Sequence, residues 1–145
     1  SKNSDIKSKQ LVNYLDASKA MLRGRLMGHV RVKGLVGCDA QHVQEIELLV
    51  DTGAFYTIIP PAAAKELGLE VYKTASLTLA DKRRVEAGIS LAYMKFLDRD
   101  GVLPVAVMDS PEPLLGVTAL EGLGLRVDPT TGELQHSRPY GLAAL

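Results

Sequence analysis

The chain lacks tryptophan altogether and has one cysteine, Cys38, in 145 residues. A lone cysteine excludes any disulfide within one copy, so a core must hold the fold without covalent staples. Aromatic residues make up only 5% of the sequence. There is also no excess charge of either sign, because 17 basic residues balance 17 acidic ones. With no basic cluster interleaved with aromatics, the electrostatic footprint of a nucleic-acid binder is missing. No apolar run approaches the roughly 20 residues that a membrane-spanning helix requires. The polar start, Ser1 to Gln10, has no apolar stretch of the kind a secretory leader carries, and a cytoplasmic location is expected.

What is present is a chain that is 46% hydrophobic, long enough for one well-buried domain and too short for two lobes. Its organising stretch is Glu45 to Pro60, E-I-E-L-L-V-D-T-G-A-F-Y-T-I-I-P. Two apolar runs flank the polar insert Asp51-Thr52-Gly53, so an acid emerges where a buried strand ends. Such a position presents a carboxylate at a cleft.

Taken in order, Ser4 to Leu22 carries scattered apolar residues and reads as a short helix or flexible arm, giving an N-terminal segment over 1–25. Period-two alternation from Leu26 to Val36 predicts a half-exposed strand with Val30 and Val32 on one face and His29, Arg31 and Lys33 on the other. A turn over Cys38 to Gln41 then leads to a second strand from His42 into Asp51, with Glu45 and Glu47 on its solvent face. Pro60-Pro61 opens a helix that Gly68 closes. Ser76 to Phe96 predicts a long hairpin with the charged tip Asp81-Lys82-Arg83-Arg84. Asp98 to Gly101 reads as the next turn and Val102 to Met108 as the next strand. After Leu114-Leu115-Gly116, the T-x-x-E spacing of Thr118 to Glu121 predicts a capping box on a short helix ended by Gly124. Asp128 to Gly132 has the composition of a turn in a last hairpin.

Four of these elements come in a telling order: Asp51-Thr52-Gly53-Ala54 with Thr57 and Ile58-Ile59 behind it, a hairpin, Leu114-Leu115-Gly116, and a helix. As a group they resemble the retropepsin-like aspartic proteases, over roughly Leu26 to Gln135. The resemblance implies a mostly β fold, an acid-protease β-barrel with a flap hairpin and a short C-terminal helix, spanning 26–136 and followed by a tail over 137–145. It also implies an aspartic endopeptidase active as a C2 homodimer, because only one Asp-Thr-Gly is present and the chemistry needs two carboxylates about one water. Two such groups cannot both ionise cheaply, so they share a proton and titrate as a unit.

By the same resemblance Asp51, Thr52 and Gly53 form the catalytic loop, with Thr52 bonding across the dimer axis and Gly53 giving the backbone close approach and conformational freedom. Ala54, Ile58, Leu79, Ala80, Asp81, Lys82, Leu114 and Leu115 are the expected substrate-binding residues, selecting apolar side chains at the scissile bond. Leu114-Leu115 also reads as the end of an ordinary core strand. The chain departs from viral members in its glycine-free flap tip, Asp81 to Val85. It also has Val117 and Thr118 where those members carry a basic residue and an asparagine, and Phe55 where they carry the matching acid.

The expected partners are a peptide or protein substrate and a second copy, with no nucleic acid and no membrane segment. No cofactor is implied. Cys38 and His42 lie four apart, but with His29 and His136 scattered they do not make a zinc pattern, so no metal is expected. Tyr14-Leu15 and Met21-Leu22 are candidate self-cleavage sites. A non-catalytic dimerising or peptide-binding module of the same fold is the alternative reading.

Overall fold

The computed structural model describes residues 30–78 and 82–139. The expectations for the N-terminal arm, its self-cleavage sites, His29, Leu79, Ala80, Asp81 and the end of the tail fall outside those residues.

Most of the described chain is strand. β1 (Arg31–Asp39) and β2 (His42–Val50) form an antiparallel hairpin about a turn at Ala40 and Gln41. Strand β1 keeps the alternation read from the sequence, with Val32 buried between exposed Arg31 and Lys33. It continues through Asp39, however, so Cys38 belongs to the strand and not to the turn. Glu45 and Glu47 lie exposed on β2 as expected. The last three residues of β2, Leu48 to Val50, are all buried, because there the strand dives into the barrel.

Next come β3 (Thr57–Ile59) and the helix α1 (Pro61–Glu66). Proline at the first helical position forfeits no internal hydrogen bond, and Gly68 leaves the helix with φ +75, a conformation that costs glycine little. β4 (Val71–Thr78) and β5 (Arg84–Phe96) form the long hairpin, and Lys82 at its tip has φ 71. β5 turns back into β6 (Arg99–Val107) through Leu97 and Asp98 alone. The expected turn over Asp98 to Gly101 is therefore shorter. Arg99 is drawn into the strand because its guanidinium is buried, 3% exposed, and donates to the carbonyls of Leu123, Gly124 and Arg138.

The chain finishes with β7 (Leu114–Leu115), α2 (Val117–Leu123), β8 (Leu125–Val127) and β9 (Leu134–His136). Gly124 ends α2 at φ 67, as read from the sequence. The capping box does not form. Gly116 holds the N-cap position with no side-chain cap bond, and the Thr118 hydroxyl donates instead to the carbonyl of Phe55. Thr118 is two residues past that N-cap, already inside the first turn, where its hydroxyl reaches the loop and not the helix's own N–H groups.

The seven-stranded sheet runs β1-β2-β7-β3-β6-β5-β4, and β1 also pairs β5. That last pairing closes a barrel and leaves β4 outside it as the free arm of the hairpin. The main core fills the barrel with Val36, Leu48, Val50, Ile59, Met94, Phe96, Val105 and Leu115, and α2 covers it through Ala119, Leu120 and Leu123. A second apolar cluster of Leu49, Ile58, Ala87, Ala106 and Leu114 lies on the other side of the central strands.

Short β7 is the keystone of this topology. It pairs parallel with β2 through Leu49↔Leu114 and Val50↔Leu115, and antiparallel with β3 through Ile58↔Leu114. Gly116 must be glycine because a Cβ there would lie 2.4 Å from the Tyr56 carbonyl oxygen and 2.8 Å from that of Ala54. Both obstacles are backbone and cannot swing aside. Gly116→Ala is expected to lower unfolding free energy by about 2 kcal/mol or more, measured by urea denaturation, whereas Gly132→Ala, whose Cβ would meet only a Val30 methyl at 3.7 Å and whose cost is the left-handed φ of +77, is expected to lose about 1 kcal/mol.

Candidate active site

Asp51 follows β2 directly and opens a loop that returns into β3 at Thr57. Three backbone hydrogen bonds clasp this loop to β7 and α2. The Asp51 N–H donates to the Leu115 carbonyl (3.0 Å), the Val117 N–H to that of Ala54 (2.8 Å) and the Thr118 N–H to that of Phe55 (2.9 Å). Within the loop the Ala54 N–H donates back to the Asp51 carbonyl at 3.0 Å. Fully buried Thr57 completes the clasp, its Oγ1 accepting the Gly116 N–H at 3.0 Å. A threonine is needed there because valine has the same shape but no acceptor.

The Asp51 carboxyl is held near the surface and yet shielded from water, at 4% exposed. Oδ1 accepts the Gly53 N–H at 2.9 Å. Oδ2 is buried and has no hydrogen-bond partner among the described residues. A buried polar atom left so is costly, and such atoms concentrate where a ligand or partner completes them. Burial pushes the Asp51 carboxyl above the ordinary carboxylate range, and the Gly53 N–H opposes that shift without cancelling it. The group is thus tuned to hold a proton where an exposed aspartate would lose it.

Thr52 and Gly53 are exposed beside it, at the rim of the loop. Gly53 makes no use of the conformational freedom expected of it, since the described glycines with positive φ are Gly68, Gly124 and Gly132. Close approach is its role: a Cβ at Gly53 would lie 3.3 Å from Asp51 Oδ1, crowding the carboxylate.

The expected substrate-binding residues divide. Ala54, Ile58 and Leu114 are buried close behind the loop, with Ile58 and Leu114 in the second cluster. Leu115, 1% exposed, points into the main core, and its expected place in a pocket is corrected to a scaffold role. The alternation of a strand requires this, since Leu114 and Leu115 must face opposite sides. Lys82 stands exposed at the hairpin tip.

The structure adds residues that the motif reading missed. Tyr56, Leu77, Ile89 and Met108 are partly buried against the second cluster and keep surface free at its margin. Leu77 and Ile89 were legible in principle, since each holds an alternate position on its strand, but no local signal marks Tyr56 or Met108. Phe55, 65% exposed, stacks edge-to-face on Tyr56 with ring centroids 5.0 Å apart.

The family described as aspartyl protease matches residues 28–119, more than half of the chain. No curated protein sequence matches. Among solved structures, EIAV protease complexed with the inhibitor HBY-793 is 21% identical, with a TM-score of 0.56 over 68% of this chain and 90% of that one. A retropepsin-like aspartic protease from Rickettsia conorii is 22% identical, with a TM-score of 0.49 over 68% of this chain and 74% of that one. The fold is that of the retropepsins.

Two measurements check the site as described. Thr57→Val leaves the buried Gly116 N–H without its acceptor and is expected to cost about 1–3 kcal/mol of stability, read from urea unfolding. The second concerns pH. Because the folded-state pKa of Asp51 is raised, the native chain binds more protons than the unfolded one above the ordinary value of 3.8. Stability therefore falls as pH rises through that window, and the loss persists at neutral pH. Asp51→Asn is expected to abolish this component and to be more stable than the parent at pH 7, compared across a pH series of melts.

Proposed function

The chain belongs to the aspartyl protease family and is an aspartic endopeptidase, and from that premise we propose that its working unit is a C2 homodimer in which Asp51 of each copy shares one water. The observation that supports this reading is the Oδ2 of Asp51, buried in the single chain with no partner among the described residues, which a twin carboxyl across a rotation axis would complete. One chain provides one such acid, and peptide hydrolysis by paired carboxylates needs two.

Within the pair the two groups hold one proton between them at working pH. The ionised member removes a proton from the water as its oxygen attacks the scissile carbonyl carbon. The protonated member donates a hydrogen bond to the carbonyl oxygen and stabilises the charge that develops there. Collapse of the tetrahedral intermediate breaks the C–N bond, and the proton taken from water passes to the leaving amine. Bound metal and covalent intermediates have no part in these steps. The raised pKa of Asp51 favours the half-protonated state and places best activity on the mildly acidic side.

The substrate is an extended peptide, which binds as an added strand between the β4–β5 hairpin and the floor of the loop. Ile58 and Leu114 back the pocket beside the scissile bond, and Leu77, Ile89, Tyr56 and Met108 give it an apolar margin. Apolar side chains are accordingly preferred there. The hairpin is the lid, with exposed Lys82 at its tip toward the peptide. Thr52 links the two loops across the axis, and Gly53 and Ala54 leave room for the paired carboxyls.

Digestion of a peptide library tests the proposal. Asp51→Asn is expected to reduce kcat/KM by about 1,000-fold or more, and at low protein concentration the parent's rate is expected to rise with the square of chain concentration. Cleavage that survives Asp51→Ala, or a rate strictly linear in chain concentration down to nanomolar dilution with a monomeric mass, would overturn it.

A further inference from the structure

Far along β2 from Asp51, at the opposite end of the first hairpin, three chemically different ligand groups converge. Cys38, Asp39 and His42 bring a sulfur, a carboxylate oxygen and a ring nitrogen within 4.8 Å of one another, all exposed. Among the described residues no other group of three histidine, cysteine or acidic side chains does so.

The backbone explains the convergence. In a regular strand Cys38 and Asp39 would face opposite sides. The register of β1 against β2 instead slips between Gly37↔Val43 and Asp39↔His42, which leaves Cys38 as an unpaired bulge residue. A bulge re-aims side chains, and here Cys38 Sγ comes to 3.9 Å from Asp39 Oδ2. Gly37 makes the bulge feasible, since a Cβ there would lie 1.7 Å from the His42 carbonyl oxygen.

The turn is also preset. Asp39 Oδ1 accepts the N–H groups of Gln41 and His42, each at 2.9 Å, and faces His42 Nδ1 at 2.7 Å. Oδ2 is turned toward the sulfur. The thiol meanwhile packs beside Gly68, just past the C-terminal end of α1, where a Cβ would lie 3.6 Å from Sγ. The Gln44 side chain, donating to the Glu66 carbonyl at 3.2 Å, ties the hairpin to that same helix end.

We propose that this bulged turn is a zinc-class divalent cation site, in which Cys38, Asp39 and His42 take three positions of a tetrahedron and water takes the fourth. Thiolate, imidazole and carboxylate together suit a borderline cation such as Zn²⁺ better than a hard one such as Mg²⁺. Bond lengths near 2.0–2.3 Å imply ligand atoms roughly 3.5 Å apart, so small side-chain rotations close the present spread. Binding replaces the Asp39–His42 contact, moves the imidazole proton to the outer nitrogen and releases the thiol proton to solvent. Two anionic ligands and one neutral one then balance the dication. The sequence reading saw only Cys38 and His42 because nothing local announces the bulge that adds Asp39.

Titration of the full chain with Zn²⁺ alone, and with Co²⁺ as a spectroscopic stand-in, tests the site in chelator-free buffer. One ion per chain is expected, with a sulfur-to-cobalt charge-transfer band in the near ultraviolet and tighter binding as pH rises, because the thiol must lose its proton. Cys38→Ser is expected to erase the band and, like His42→Ala, to weaken Zn²⁺ binding by at least about tenfold. His136→Ala, in the separate Asp98 pair, is expected to change nothing. Both ligand variants alter exposed side chains, and circular dichroism checks that they fold. Absence of binding, binding indifferent to either variant, or a band arising from two Cys38 thiols of different chains and insensitive to His42→Ala would overturn the proposal.

Discussion

The geometry of the site depends on one clasp between segments far apart in sequence. The loop from Asp51 to Thr57 has no regular structure of its own, and its carbonyls and the Thr57 hydroxyl are held by the N–H groups of Gly116, Val117 and Thr118. Those groups are the unpaired donors at the start of α2, which every helix must satisfy somewhere. The loop and the helix thus solve each other's hydrogen-bonding problem. Wedging β7 between β2 and β3 brings the two together, and only glycine at position 116 lets the backbones close.

The clasp makes the Asp51 carboxyl rigid and buried without giving its second oxygen a partner. Burial alone raises the proton affinity of the group, and orphaning alone is a penalty. Together they leave a carboxyl with a raised proton affinity and one oxygen open to a further polar partner. The second apolar cluster fits the same picture. Its buried members pack behind the loop, and its partly buried ones keep apolar surface free at the margin.

Much of this was legible in the sequence. Alternation in β1, proline and glycine around α1 and glycine after α2 announced their elements because each acts through its own backbone. Asp51-Thr52-Gly53 between two apolar runs predicted an acid where a buried strand ends, and Asp51 does follow β2 directly. The failures turned on how elements pack and pair, which the local pattern does not show. Thr118 looked like a cap and instead holds Phe55. Arg99 looked like a turn residue and instead plugs the end of α2. Leu115 looked like a pocket wall beside Leu114, but the pleat sends it the other way. The bulge at Cys38 arises from pairing with β2 and left no local mark.

The account stands on the catalytic unit being shared by two chains, and the stoichiometry of a pepstatin-type transition-state analogue tests that most directly. Calorimetric titration, with the mass of the complex followed by sedimentation, should give one inhibitor for every two chains in a particle of dimer mass, and no binding to Asp51→Ala. One inhibitor bound to each chain in a particle of monomer mass would contradict it.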